Sequence, residues 1–179
     1  MKLFIASDIH GSMHYTEAML EAFRKEKAEK MVLLGDLLYH GPRNDLPKDY
    51  NPKKVIDALN EISDNIICVR GNCDTEVDQM VLNFPIMSNY AVIFDGDVTM
   101  YLCHGHNIDE ILPKLSEGNI LISGHTHIPK SQNENGIYLL NPGSVSIPKD
   151  NSEHSYIIYE NKCFEWKSLN GKVYNKLTL

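Results

Sequence analysis

Leu3-Phe4-Ile5-Ala6-Ser7-Asp8-Ile9-His10-Gly11 opens the chain as an apolar run that ends in two metal-ligand side chains and a glycine. The run reads as a buried strand, because a short continuous apolar stretch bounded by turn-forming residues suits a sheet covered on both faces. Asp8 and His10 stand two apart, so in extended geometry both side chains leave the chain on the same side. Gly11 then lets the backbone turn tightly beside a small charged site.

The same device recurs four times. Met31-Val32-Leu33-Leu34 leads to Gly35-Asp36, and Ile66-Ile67-Cys68-Val69 leads to Gly71-Asn72. Thr99-Met100-Tyr101-Leu102-Cys103 leads to His104-Gly105-His106, and Ile120-Leu121-Ile122 to Gly124-His125-Thr126-His127. The intervals are irregular, which marks a common architecture rather than a tandem repeat. Strands lying side by side align their carboxyl ends along one rim, where open α/β sheets bind ligands.

Carboxylate, imidazole and amide oxygen suit Mn, Zn, Fe or Mg better than soft thiolate-loving metals. Asp36, a single carboxylate after the second strand, is placed to bridge two ions about 3.5–4 Å apart, the spacing of two-metal hydrolases. Taken singly, each piece is weak, since Gly-Asp and Gly-Asn are also ordinary turns. All five clusters in this order, each after an apolar strand, point to a two-metal site.

The set Asp8-x-His10, Gly35-Asp36, Gly71-Asn72, His104-Gly105 and Gly124-His125-x-His127 resembles the calcineurin-like metallophosphoesterases. The chain's length and the segments His40-Gly41-Pro42-Arg43-Asn44, Val69-Arg70-Gly71-Asn72-Cys73-Asp74 and Asn141-Pro142-Gly143-Ser144-Val145 are most similar to the small bacterial phosphodiesterases of that family. The likeness runs from the first strand to about Lys149. It implies one metal held by Asp8, His10, Asp36 and His127, and a second held by Asp36, Asn72, His104 and His125. Two divalent cations, Mn²⁺ first and Zn²⁺, Fe²⁺, Ni²⁺ or Mg²⁺ as alternatives, lower the pKa of a bridging water and neutralise phosphoryl oxygens. A metal-bridging hydroxide then attacks phosphorus in line with the leaving group. No serine sits in a nucleophile-elbow pattern that offers another route.

One position departs from the wider family. Many relatives carry a histidine after the motif asparagine, and here it is Cys73. A thiol is a poor proton donor to an alkoxide, which tilts the expected substrate toward diesters or activated leaving groups. His106, two residues past a ligand, becomes the candidate acid. Arg43 offers a planar fork for a non-attacked phosphoryl oxygen, with Asn44 and Cys73 as further substrate contacts. Asn141-Pro142-Gly143-Ser144 is a candidate for another wall of the pocket.

The connecting segments predict an α/β first part and a β-rich end. Ser12 caps a helix running through Lys27, with Met19, Ala22 and Phe23 on its buried stripe. Asn51-Pro52 starts a second helix carrying Val55, Ile56, Leu59 and Ile62. A short helix follows Asp74, and another is expected near Asp109 to Glu117. Asp95-Gly96, Asn135-Gly136, Asn161-Lys162 and Asn170-Gly171 each separate β-prone runs as hairpin turns. These elements give two packed sheets flanked by helices. The resemblance implies the same α/β fold, a four-layer α-β-β-α sandwich with the dimetal site at the carboxyl-end rim.

The 179 residues, 42% hydrophobic, suit a single domain spanning 1–179 around one good core. Four cysteines without a C-x-x-C pair are read as free thiols in a reducing compartment. The apolar start is broken by Asp8 and His10 too soon for a signal peptide, and no stretch reaches membrane-spanning length. The expected location is cytoplasmic, with no membrane association. A net charge of -7 makes nucleic acid an unfavoured partner, since counterion release needs clustered Lys and Arg. A small phosphodiester is the expected partner, and a homo-oligomer is left open. His14 and His154 are read as surface residues. Three functions compete: a phosphodiesterase, a phosphomonoesterase of the same mechanism, and a catalytically inactive scaffold of the kind found in the superfamily's retromer subunit. The scaffold reading calls for eroded ligands, and all seven are present.

Overall fold

The computed structural model describes residues 1–179. In chain order the elements are β1 (Lys2–Ala6), α1 (Met13–Glu26), β2 (Lys30–Leu33), α2 (Pro52–Asn60), β3 (Ile66–Cys68), α3 (Glu76–Gln79), β4 (Tyr90–Asp95) and β5 (Val98–Cys103). They continue as β6 (Ile120–Ile122), β7 (Lys130–Glu134), β8 (Ile137–Asn141), β9 (Ser155–Glu160), β10 (Cys163–Ser168) and β11 (Val173–Thr178). The expected helix starts are in place. Ser12 Oγ accepts the N–H of Tyr15 at 3.4 Å, and Asn51 Oδ1 accepts that of Lys54 at 3.3 Å with Pro52 in the first turn.

Two mixed sheets result, in the orders β11-β10-β9-β1-β2-β3 and β4-β5-β6-β8-β7. Alternation along β1 divides its side chains between two cores. Phe4 and Ala6 meet Met19, Ala22 and Phe23 of α1 and Val55 and Leu59 of α2. Leu3 and Ile5 meet the inner face of the second sheet, whose Met100, Leu102, Ile120 and Ile122 share their cluster. Trp166 lies in that middle layer and donates its indole N–H to the carbonyl of Asn141 at 2.7 Å, so burying it leaves no unpaired donor. On the outer face, Cys103, Leu121 and Leu139 are covered by Ile108, Ile111, Leu112 and Leu115. The four-layer α-β-β-α sandwich expected from the sequence is present.

β1, β2 and β3 are mutually parallel, as are β5, β6 and β8. Their carboxyl ends therefore bring residues 8, 36, 72, 104 and 125 to one rim. Pairing continues past the strands, with His10 N–H on the carbonyl of Asp36 at 2.9 Å and Gly124 N–H on that of His104 at 2.8 Å.

Two readings need correction. Residues 109–117 form no α-helix; two 3₁₀ turns, Ile108–Glu110 and Leu112–Lys114, stand there. Pro113 has no N–H for the α-helical ladder, and the short turns still deliver the apolar residues that cover the sheet. His154 is also no free surface histidine. It is half-buried, stacked on Tyr15 with ring centroids 4.0 Å apart, and its Nδ1 lies 2.8 Å from the carbonyl of Val145. His14 is half-buried too, 3.2 Å from the Lys48 ammonium.

Candidate metal centre

Three of the histidines are oriented by backbone. The Nδ1 atoms of His10, His104 and His127 lie 2.7 Å from the carbonyls of Tyr39, Leu34 and Ile147, respectively. A carbonyl oxygen only accepts, so each Nδ1 carries a proton and each Nε2 turns toward the site, presenting a lone pair once the ring is neutral. Those lone pairs converge. His127 Nε2 lies 3.3 Å from Asp8 Oδ1 and 3.3 Å from His10 Nε2. His10 Nε2 lies 3.7 Å from Asp8 Oδ1 and 3.7 Å from Asp36 Oδ2.

A second group shares the Asp36 carboxylate. Asp36 Oδ2 is 3.4 Å from His104 Nε2, which is 3.0 Å from Asn72 Oδ1 and 3.2 Å from His125 Nδ1. The seven residues anticipated from sequence thus fall into two clusters joined at Asp36. Asp8, His10, Asp36, His104 and His127 are buried, and Asn72 and His125 stand nearer the opening.

These residues fit divalent cations. Asp8 Oδ1 is buried with no hydrogen-bond donor, and the imidazole nitrogens it faces are acceptors whenever their rings are neutral. Such a convergence is costly unless positive charge occupies it. Protonated imidazoles supply that charge when no metal does. Burial pushes the Asp8 carboxyl up, yet His10 and His127 beside it outweigh burial and hold it far below the usual range. Burial likewise lowers His104, but Asp36 and Asp8 lift its imidazole to about 9.

The backbone is contorted to achieve this. Asp8, His10, Asp36, His125 and His127 all take left-handed φ values, between 49° and 66°. Gly71 makes close approach possible, since a Cβ there would lie 2.1 Å from Asp36 Oδ1 and 2.3 Å from its backbone nitrogen.

A cavity of about 440 Å³ opens over the clusters, lined by His10, Asp36, Asn72, His125 and His127 together with Arg43, Asn44 and Cys73. The Cys73 thiol is within 4.8 Å of ligand atoms of His10 and Asp36. Burial, reinforced by the Asp36 carboxylate, pushes that thiol up to about 12, so it is neutral near pH 7. Asn44 donates to the carbonyl of His40 at 2.8 Å, which shapes the loop bearing Arg43. His106 is exposed and lines an adjoining hollow with His104, their ring centroids 5.5 Å apart. The Asn141 to Ser144 segment is no pocket wall. It is buried behind the ligands, where Ser144 Oγ donates to the carbonyl of Asp8 at 2.8 Å and Asn141 Nδ2 to that of Gly124 at 2.7 Å.

Two residues escaped the sequence reading. Asp74 accepts the backbone N–H groups of Asp36, Leu37 and Gly71 at 2.7–2.9 Å and so ties the second and third clusters together. Lys149 also lines the cavity. A charge next to a glycine turn was the one available hint for Asp74, and Lys149 left none.

Two mixed sheets between helical layers, with paired Asp/His clusters on a shared rim, define a metal-dependent phosphoesterase of calcineurin type. The calcineurin-like phosphoesterase superfamily domain matches residues 1–162, and the chain belongs to that superfamily. Its relatives include phosphodiesterase YfcE of Escherichia coli K12, 47% identical over 173 residues, which cover 96% of this chain and 94% of that one. The solved structure of YfcE, a phosphoesterase from E. coli, superposes with a TM-score of 0.95 at 44% identity, covering 99% of both chains. Vps29 from Entamoeba histolytica, solved with Zn²⁺, shares the fold, with a TM-score of 0.64 at 20% identity over 99% of this chain and 98% of that one. No helix of the chain is long and apolar enough to cross a membrane.

Proposed function

We propose that this protein is a phosphodiesterase that works with two divalent metal ions, Mn²⁺ foremost. The observation that carries the reading is the convergence of acceptor atoms on both sides of Asp36, with no proton donor between Asp8 Oδ1 and its imidazole neighbours. Asp8, His10, Asp36 and His127 would hold one ion, and Asp36, Asn72, His104 and His125 the other. When bound, such ions supply a strong nucleophile from water at neutral pH and neutralise charge on the phosphoryl oxygens.

The chain's own groups do the rest. The carbonyls of Tyr39, Leu34 and Ile147 keep three imidazoles in the tautomer that ligates. Arg43, on a loop packed near Cys73, presents a guanidinium to a phosphoryl oxygen that is not attacked. Cys73 is neutral and gives the leaving oxygen little assistance, so the site favours esters that depart readily. His106 is assigned as the proton donor where the leaving group needs one. A small phosphodiester, handled in the cytoplasm, is the expected substrate.

The test compares bis-p-nitrophenyl phosphate with p-nitrophenyl phosphate, using chelated protein with and without added Mn²⁺. Diester hydrolysis restored by metal and exceeding monoester hydrolysis is expected. Preference for the monoester would make the protein a phosphomonoesterase, and inertness toward both with metal bound would leave a binding scaffold.

A further inference from the structure

The chain has 24 acidic and 17 basic residues, yet the cavity over the metal clusters inverts that balance. Its only acidic lining residue is Asp36, a metal ligand, while Arg43 and Lys149 both reach it. Neither cationic side chain forms an ion pair or hydrogen bond within the protein, whereas Lys2, Lys25, Lys130, Lys162, Lys167 and Lys176 each reach a carboxylate. Lys27, Lys53, Lys54, Lys114 and Lys172 are unpaired too, but none of these lines the cavity. Lys149 is also anchored at its base. Its N–H donates to the carbonyl of the ligand His127 at 3.2 Å, and its own carbonyl accepts both the N–H and the hydroxyl of Ser152, at 3.0 and 2.6 Å. The side chain thus starts from a fixed point beside the metal clusters.

Charge balance gives this a meaning. Two divalent cations bring four positive charges, of which Asp8 and Asp36 cancel two. Hydroxide and the single negative charge of a phosphodiester cancel the others. Arg43 and Lys149 are then left without a counter-charge in a cavity large enough for a whole small-molecule ligand.

We infer that Lys149 is a specificity-determining residue that receives a second anionic group, a carboxylate or further phosphate, on the non-leaving arm of the substrate. The substrate class is an anionic phosphodiester rather than one with two neutral arms. This rests on the phosphodiesterase reading above.

Calorimetric titration of the Mn²⁺-loaded full chain separates the two. 2-Carboxyethylphosphonate and propylphosphonate have similar length and differ in the terminal carboxylate. Wild type is expected to bind the carboxylate about tenfold more tightly, the worth of one charge-assisted hydrogen bond. K149M should bring the ratio within about twofold, and K149R should retain it. Equal binding by wild type overturns the inference. So does a tenfold ratio that survives K149M, which would assign the anion to Arg43 or the metals. Hydrolysis of p-nitrophenyl ethyl phosphate by the same preparation reads the parent proposal independently: no turnover with unequal binding removes the diesterase and keeps the anion site, whereas turnover with equal binding does the reverse.

Discussion

Asp74 Oδ2 accepts the backbone N–H of Asp36 at 2.8 Å, so a carboxylate that joins neither ligand cluster positions the one that joins both. The same oxygen takes Gly71 N–H at 2.7 Å, and Oδ1 takes Leu37 N–H at 2.9 Å. In D74N one acceptor becomes an amide donor pointed at backbone N–H groups. The variant should lose about 1–3 kcal/mol of stability and 10–100-fold in metal affinity. Mn²⁺ titration beside denaturant unfolding measures both. Native affinity in a folded variant would mean that Asp36 is held without Asp74.

Asp8 and Asp36 should differ in how many ions they govern. Asp8 Oδ1 faces His10 and His127 at 3.7 and 3.3 Å, whereas Asp36 Oδ2 stands between His10 at 3.7 Å and His104 at 3.4 Å. Metal analysis after gel filtration should find D8N reduced from two ions toward one and D36N reduced toward none. Equal losses would refute the bridging role.

Metal binding should expel protons. Asp36 and Asp8 hold His104 at about 9 against the effect of burial, and a protonated imidazole has no lone pair to offer. Below that value the proton must leave first, so apparent affinity rises with pH, by up to about tenfold per unit, and levels off near 9. Titrations in buffers of unlike ionisation enthalpy count the protons at pH 7. An affinity constant from pH 6 to 8 is the contrary result.

His106 is exposed and close to His104 without lying among the ligands. H106A should keep its full metal content while turnover of a diester with a poor leaving group drops about 10²-fold or more, and that of a p-nitrophenyl diester much less. If both esters slow equally, proton donation is not its task.

Glu26 joins the end of α1 to the first sheet, accepting from Lys167 Nζ at 2.9 Å and Tyr156 Oη at 3.0 Å. Burial raises its carboxyl, but Lys167 and Tyr156 outweigh that and hold it below its ordinary 4.5. The stabilisation is therefore present above about pH 4.5 and disappears as pH falls through the lower folded value. E26Q should cost about 1–2 kcal/mol at pH 7, or roughly 2–8 °C in Tm, with the gap closing at pH 3. A gap independent of pH would assign the effect to packing.

Local chemistry made the fold and the candidate ligands legible. The strands that end in the five clusters each carried an apolar run, each hairpin its Asx or glycine signal, and Asp8, His10, His125 and His127 stood in short motifs. What stayed hidden depends on chain segments meeting across long sequence distances. Asp74 acts on an amide 38 positions away, and the carbonyl that orients His10 belongs to Tyr39, 29 positions on. The 3₁₀ turns after β5 were missed because the same apolar residues serve a helix or two short turns, and Pro113 decides between them.

The left-handed ligands carry an evolutionary consequence. Each such conformation costs a non-glycine residue about 1 kcal/mol, and five of the seven candidate ligands adopt it, in a protein whose whole margin is of order 5–15 kcal/mol. Glycine or asparagine at those positions would relax the backbone while the cores stayed intact, so the most accessible stabilising substitutions are also the ones that dismantle the metal centre. A descendant released from hydrolysis would therefore be expected to shed these side chains first and keep its architecture.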